Sequence, residues 1–180
     1  QAFYKCTHLS LFELKGKEKS IINRGAFMYC TKLKLVSIEY IEHIPDNAFR
    51  GCILLSSFEM PLNVISIGTM GFYETGINSL KIPPSLKLIG TQSFTSTCIV
   101  TLNIPKTVET INFGAFSWCK QLLSVTLPEG IEKLNMSLFE DCCKLNSINF
   151  PESLNEIGFR CFYGCKGLKK LNINASTIKS

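Results

Sequence analysis

The feature that most constrains this chain is a phenylalanine that recurs at a nearly constant interval along all 180 residues. Successive members lie 24, 22, 23, 22, 22, 23 and 23 residues apart, and most of them follow a small residue. The column comprises Phe3, Phe27, Phe49, Phe72, Phe94, Phe116, Phe139 and Phe162. A fixed period of about 20–50 residues is typical of repeat architectures, in which each unit packs on its neighbours.

Other positions keep the same period. From the second unit onwards an aliphatic residue stands five positions before the Phe, and Cys or Thr stands three positions after every Phe. Each unit also contains a short alternation of apolar and polar residues, often closed by proline, as in TLNIP at 101–105 and SINFP at 147–151. The alternation predicts a short β-strand with one buried face. Proline cannot donate to the ladder and is expected to end the pairing.

A unit of about 23 residues cannot bury its own apolar face, so the units are expected to stack. Equivalent strands would then pair in parallel about 4.7–4.9 Å apart, with the Phe rings inward in one column. The segment that holds each Phe is too short for a long helix, and we predict a helical turn or a 3₁₀ piece there.

These columns resemble the BspA-type leucine-rich repeats, or LRR-5 class, whose pattern is approximately LxxIxIPxxVxxIGxxAFxxC. The match covers nearly the whole chain and is illustrated by SFEMPLNVISIGTMGFYET (57–75) and TLNIPKTVETINFGAFSWC (101–119). The resemblance implies an α/β leucine-rich-repeat solenoid over residues 1–180, with about eight repeats of 22–24 residues and a parallel sheet on its concave face. It also implies a class rich in surface proteins of mucosal bacteria and parasitic protists, some of them implicated in adhesion.

Nine cysteines raise the question of disulfides or a metal site. Six of them occupy the column three residues after Phe, where Thr75 and Thr97 take the same place in two units. A position that accepts Cys or Thr favours a small buried side chain, so we predict a column of free structural thiols. Cys98 and Cys143 lie outside it and are expected to be more exposed. No second CxxC or nearby His completes a zinc site, and neither a metal nor another cofactor is predicted.

Composition narrows the functional classes. No apolar run of about 18 residues predicts a membrane span, and the first residues lack the pattern of a signal peptide. The two histidines, His8 and His43, offer no nucleophile pair with a reactive cysteine, and a phosphate-binding loop is absent, so we predict a non-enzymatic protein without catalytic residues. The net charge of +5 is scattered and most aromatic residues belong to the buried columns, which argues against nucleic acid as a partner.

The wet face of the predicted strands is the best candidate for binding, because solenoids use extended concave faces for recognition. Solubility alone would also explain its polar residues. The predicted contact residues are Ser37, Glu59, Lys81, Asn103, Thr126, Asn149 and Asn172. Trp118 stands in a variable column and is predicted to be exposed, either as a contact residue or partly packed on neighbouring loops. Glycosylation sequons begin at Asn135 and Asn174, and the sequence leaves their use open.

The sequence therefore predicts a protein-interaction module that binds through the concave face. The resemblance implies that this module belongs to a cell-surface or secreted adhesin or antigen and binds a host or extracellular-matrix protein. Free thiols are typical of reducing compartments, so the alternative is a cytoplasmic leucine-rich-repeat scaffold. Solenoid ends normally carry polar caps, and a distinct cap is not evident. We expect a segment of a longer array, or ends that meet in an oligomer.

Overall fold

The protein is described from a computed structural model, which covers residues 1–16, 20–171 and 173. This part of the chain forms short strands joined by turns. The strands are Leu11–Leu14 (β1), Leu35–Ile38 (β2), His43–Ile44 (β3), Ser66–Ile67 (β4), Leu88–Ile89 (β5), Thr101–Asn103 (β6), Thr110–Ile111 (β7), Ser124–Thr126 (β8), Lys133–Leu134 (β9), Ser147–Asn149 (β10) and Glu156–Ile157 (β11).

The strands lie in two parallel rows, because each coil of the chain contributes a segment to both. The front row contains the sheets β1-β2 and β6-β8-β10, and the rear row contains β3-β4-β5-β7 and β9-β11. All pairs are parallel and join equivalent positions of successive repeats, such as Val125 with Leu102 on one side and Ile148 on the other. The repeat period of the sequence therefore sets the register.

We number the rungs of the front row by their segments: 11–14, 35–38, 57–60, 79–82, 101–103, 124–126 and 147–149 are rungs 1 to 7. Their side chains alternate between a buried inner side and an outer side, as in Leu102, which is buried between exposed Thr101 and Asn103. We call the outer surface of this row the front face and that of the rear strands the rear face.

The recurrent phenylalanines form one continuous stack through the interior. All seven successive ring pairs are stacked, with centroids 5.1–6.0 Å apart and planes within 15° of parallel. The six rings from Phe27 to Phe139 are fully buried, whereas Phe3 and Phe162 at the two ends are only partly buried. The predicted solenoid with inward rings is confirmed, but eight repeats is slightly too high, because only six of the units are enclosed on both sides.

The Phe-bearing segments are turns rather than helices, so the α/β class and the predicted helical or 3₁₀ pieces require correction. Among the described residues all regular elements are strands. The physical reason lies in the backbone, since the residues two before and two after the Phe have positive φ, for example +51° at Gln92 and +59° at Ser96. A left-handed residue interrupts the run of right-handed angles that a helix needs.

These left-handed positions direct the amide groups from rung to rung. Phe94 N–H donates to the Ala115 carbonyl at 2.9 Å, Gln92 N–H to Phe113 at 2.9 Å, and Ser96 N–H to Ser117 at 3.0 Å. Equivalent bonds recur along the stack. The turn side thus has its own inter-rung ladder, which holds the Phe rings in line.

Candidate functional site on the front face

The predicted contact residues lie side by side on the front face. Strand pairing places Asn103, Thr126 and Asn149 in one register across rungs 5 to 7, and Glu13 opposite Ser37 across rungs 1 and 2. Ser37 is half-buried, and the other predicted residues from Glu59 to Asn149 are exposed. Asn172 lies outside the described residues. The strand pattern therefore brings six of the seven predicted residues to one surface.

The front row is interrupted at rungs 3 and 4. Although residues 57–60 and 79–82 alternate in burial as strands do, no backbone hydrogen bond joins either segment to a described neighbour. Their inner side chains nevertheless belong to the core: the Phe58 ring lies 5.2 Å from that of Phe49 and 5.1 Å from that of Phe72. The interior is continuous there while the backbone ladder above it is open.

Two clefts open at this interruption, one on each side of rung 3. The first, of about 520 Å³, lies between rungs 2 and 3 and is lined by residues that include Ser37, Glu39 and Glu59. The second, of about 370 Å³, lies between rungs 3 and 4 and is lined mainly by apolar groups, with Lys81 at its wall. Both clefts share Ser57, Glu59, Met60 and Leu62. Rung 3 is therefore a ridge between an acidic and an apolar depression.

Three carboxylates line the first cleft together with Ser37. Glu13 lies on the rung before it, Glu39 lies two residues further along the chain, and Glu59 holds the equivalent position on the rung after it. Glu13 is paired with Lys15 at 3.2 Å, and a Glu39 oxygen accepts the Gly16 amide at 3.2 Å. Glu59 makes neither an ion pair nor a hydrogen bond with the part of the chain that is described.

Trp118 lies on the turn side, away from the front face. Its ring is 44% exposed, and the Lys120 ammonium lies 5.1 Å from the ring centroid. Its column, two residues after Phe, is the left-handed column of the turn, and Trp118 itself has φ of +59°. The structure thus places Trp118 at the surface but does not bring it together with the other predicted residues. Its role as a contact remains a prediction.

Comparison of the sequence with models of known protein families gives a match along the chain. The family model described as BspA type leucine rich repeat region matches the chain in six copies, over residues 1–98 and 87–180. The chain belongs to the BspA-type leucine-rich repeat family. The copy number equals the number of fully buried Phe rings in the stack. No curated protein matches the sequence.

Solved structures similar to this BspA-type chain include three bacterial leucine-rich repeat proteins. One from Bacteroides ovatus is 29% identical with a TM-score of 0.82, over 87% of this chain and 41% of its own. One from T. pallidum is 30% identical with a TM-score of 0.73, over 88% of this chain and 72% of its own. One from Eubacterium ventriosum, 23% identical with a TM-score of 0.61, covers 93% of this chain and 40% of its own and supports the fold alone. The chain thus spans 41% of the first of these proteins.

Sequence reasoning missed an exposed apolar stripe at the later repeats. Phe113, Met136 and Phe159 occupy equivalent positions of successive coils, three residues before the Phe, and Phe159 is 70% exposed. The Arg160 guanidinium lies between the rings of Phe159 and Tyr163, at 5.3 and 5.1 Å from their centroids. The sequence contained a sign of this stripe, because the same column contains the polar residues Arg, Asp and Thr in the earlier repeats and is therefore expected to be exposed.

The predicted thiol column is present, and its thiols join each coil of the chain to the preceding coil. Each Sγ donates to the carbonyl of the preceding Phe at 2.9–3.2 Å; the donors are Cys30, Cys52, Cys119, Cys142 and Cys165. Thr75 and Thr97 instead bond the Phe of their own rung, at 3.0 and 2.9 Å. All nine cysteines are free, Cys98 is exposed, and Cys143 is half-buried.

Burial makes Cys52 and Cys165 of this column poor nucleophiles, and it has the same effect on Cys161, which lies outside the column. Desolvation raises the pKa of Cys52 and Cys161 to about 12 and that of Cys165 to about 11. At Cys119 desolvation is outweighed by hydrogen bonds with Cys142 and Thr97, which lower its pKa. The thiolate is the reactive form, so a raised pKa leaves almost no nucleophile at neutral pH. A structural role is what this column can perform.

Few other side chains in the described part of the chain could take part in catalysis or bind a metal ion. His43 Nδ1 lies 2.8 Å from the Ser66 hydroxyl on the rear face, but no third group among the described residues orients the imidazole, as a nucleophile–base pair requires. Within residues 1–16, 20–171 and 173, no group of three or more His, Cys, Asp or Glu could hold a metal ion. No helix in those residues is long and apolar enough to cross a bilayer.

The first sequon is poorly arranged for modification. The Asn135 amide nitrogen donates to the Ile111 carbonyl at 2.6 Å, and Ser137 is buried. A glycan on that nitrogen would replace one of its two hydrogens and would have to fit beside the inter-rung bond. Asn174, which begins the second sequon, lies outside the described residues.

Proposed function

We propose that this chain is a non-enzymatic protein-interaction module that binds its partner through the front face. The observation that carries the proposal is the row of polar side chains from Ser37 to Asn149 on the front face, which strand pairing holds in register from Asn103 to Asn149, beside two clefts at rung 3. A surface held by a repeating backbone is preorganised, which lowers the entropy that binding must overcome. Trp118, on the turn side, is proposed as an additional contact.

We propose further that the module belongs to a cell-surface or secreted adhesin or antigen, with a host-cell or extracellular-matrix protein as partner. Membership of the BspA-type family supports this role. Assembly of the chain with further repeats, or with a second copy through its ends, is part of the same proposal, because each repeat is stabilised by its neighbours.

The test compares two quadruple alanine variants for binding to a panel of purified extracellular-matrix proteins. The front-face variant replaces Glu59, Lys81, Asn103 and Thr126. The matched rear-face control replaces Lys87, Glu109, Thr110 and Asn155. We expect the affinity for a matrix protein bound by the natural chain to fall by about tenfold or more in the first variant only, as loss of interface hot spots predicts.

Equal loss in both variants, or no loss in either, would move the binding surface away from the front face. Circular dichroism of both variants checks that they remain folded. Because the replaced side chains are exposed or half-buried, each substitution is expected to change stability by about 0.5 kcal/mol or less.

A cytoplasmic scaffold is the second candidate, and the nine free cysteines favour it, since thiols stay reduced inside cells. Fractionation of the native cells separates the two candidates. Recovery at the cell surface or in the medium supports the adhesin, and recovery with the cytosolic fraction alone supports the scaffold.

A further inference from the structure

The first cleft is an acidic site on a chain whose formal charge is +5. Glu39 and Glu59 line it together with Glu13, and no lysine or arginine is among its lining residues. Ser37, which also lines the cleft, is small. Because Glu13 is paired with Lys15, the uncompensated charge comes from Glu39 and Glu59, and it favours a cation in the cleft although the whole molecule is basic.

The size of the cleft selects the kind of cation. The carboxylates do not form a group that could hold a metal ion, among the described residues. A volume of about 520 Å³ instead accommodates the long side chain of lysine or arginine, whose head can donate to two carboxylates at once. Of these carboxylates, Glu59 has no partner in the described chain and is free to accept.

The neighbouring cleft has a different chemistry. Its lining includes Phe58, Met60, Ile82, Pro83 and Pro84, and Leu62 at the shared ridge is 77% exposed. An apolar side chain that entered this cleft would gain contact with these groups and lose contact with water. Lys81 and Glu59 both line this cleft and their charges offset each other, so its apolar lining is what distinguishes it from the acidic cleft.

The two clefts lie on opposite sides of rung 3, so an extended peptide that crosses the rungs can reach both of them. In an extended peptide, side chains two residues apart lie on one face about 6.6–6.8 Å from each other. The unpaired amide and carbonyl groups of rung 3 lie between the two subsites.

We propose that the two clefts bind an extended segment of the protein partner, which places a lysine or arginine side chain in the acidic cleft and an apolar side chain, two residues away, in the apolar cleft. This inference rests on the proposed function and names the chemistry of the partner. Charge complementarity supplies the orientation and the apolar cleft supplies the buried contact.

The probe is the peptide N-acetyl-Arg-Gly-Leu-amide, titrated into ¹⁵N-labelled protein and followed by amide chemical shifts. We expect saturable chemical shift changes confined to rungs 2 to 4. The affinity should fall as the salt concentration rises from about 20 to about 300 mM. The double variant Glu39→Gln and Glu59→Gln should bind about tenfold more weakly, because two charge-assisted bonds are lost. The matched control, Glu129→Gln and Glu132→Gln, removes two exposed carboxylates elsewhere and should bind as the natural chain does.

Three outcomes would overturn the inference. One is the absence of shifts at rungs 2 to 4 up to about 20 mM peptide, a range that detects even millimolar affinity. Another is equal binding of N-acetyl-Glu-Gly-Leu-amide, and the third is equal weakening in the control variant. If calcium chloride alone produced the same chemical shift changes, the acidic cleft would be a metal site and the peptide assignment would be wrong.

Failure here is distinguishable from failure of the proposed function. If the front-face alanine variant loses its matrix partner while the peptide does not bind, the front face remains the binding surface and only the assignment of the clefts is wrong. If the peptide binds while the alanine variant keeps its matrix partner, the clefts are real and the proposed function has to move to another surface.

Discussion

Single residues decide how one rung is joined to the next, and the Cys/Thr column is the clearest case. A thiol at this position reaches back to the carbonyl of the preceding Phe, as Cys52 does to Phe27 at 3.1 Å. A threonine hydroxyl at the same position turns to its own Phe, as Thr75 does to Phe72. The longer C–S bond and the softer S–H donor suit the inter-rung bond, whereas the Thr methyl group fills the same small space.

Replacing Cys52 by Thr is predicted to remove part of the alkaline sensitivity of the fold. Burial raises the pKa of Cys52 to about 12 from an ordinary value of 9.0, so between these values the folded chain keeps a proton that the unfolded chain has lost. The stability that this thiol contributes is complete below pH 9 and falls with rising pH by about 1.4 kcal/mol per pH unit.

Urea unfolding at about pH 8 and about pH 10.5 of the natural chain and of Cys52→Thr measures the effect. We expect the variant to lose less stability between the two pH values, because the two proteins differ in this one titratable group. An identical decline would show that the Cys52 proton is not retained on folding. Thr75 and Thr97 show that the fold accepts threonine in this column.

At the scale of elements, the sequence pattern predicted the features that recur in every repeat, but it did not predict the turn conformation or the differences between repeats. Inward Phe rings and strand register follow from the period alone, since equivalent residues such as Leu102 and Val125 must meet when coils stack. The glycines at 25, 51, 114 and 164 were a sequence sign of a positive φ in these columns, but ordinary residues such as Trp118 and Gln92 at the same positions obscured it. In this setting the inter-rung bonds impose a conformation that local preference opposes.

The interruption of the front row could not have been predicted either. SFEMP at 57–61 alternates as well as TLNIP at 101–105, yet only the second segment forms a strand. Pairing depends on the distance between rungs, which is set by packing beneath them, and alternation reports only which side is buried. The candidate residues were predictable as a row, but the clefts that divide the row were not.

Hydrogen exchange is predicted to reveal this interruption. The amides of 58–60 and 80–82 lack backbone partners in the described chain, whereas β8 is paired on both sides. We expect the former to exchange on the order of 100-fold faster than those of Ser124–Thr126, although their inner side chains are equally well packed. Protection of 58–60 equal to that of β8 would mean that the clefts are closed in solution, which would also remove the proposed peptide site.

At the scale of the whole molecule, stability comes from stacking rather than from any single repeat. The Phe94 ring is fully buried, parallel to Phe72 within 4° and to Phe116 within 2°. Phe3, at one end, has a stacked partner on one side only, in Phe27. In a solenoid the free energy of unfolding is approximately a sum of repeat and interface contributions, so the position of a lost ring along the stack should decide its effect.

Three alanine substitutions test this dependence on position. Phe94→Ala removes a ring between two others and is predicted to cost about 3–5 kcal/mol of unfolding free energy in urea titration. Phe3→Ala removes a half-buried ring with one stacked neighbour and should cost about 1–2 kcal/mol. Phe159→Ala is the matched control, since that ring is 70% exposed and outside the stack, and it should change stability by about 0.5 kcal/mol or less.

The ranking of the three losses matters more than their absolute values, because nearest-neighbour coupling requires the loss at the central ring to exceed the loss at the terminal one. If Phe94→Ala cost no more than Phe159→Ala, the ring stack would not be what holds the coils together. A central loss should also lower the slope of unfolding against urea, since the two halves of the array can then unfold separately.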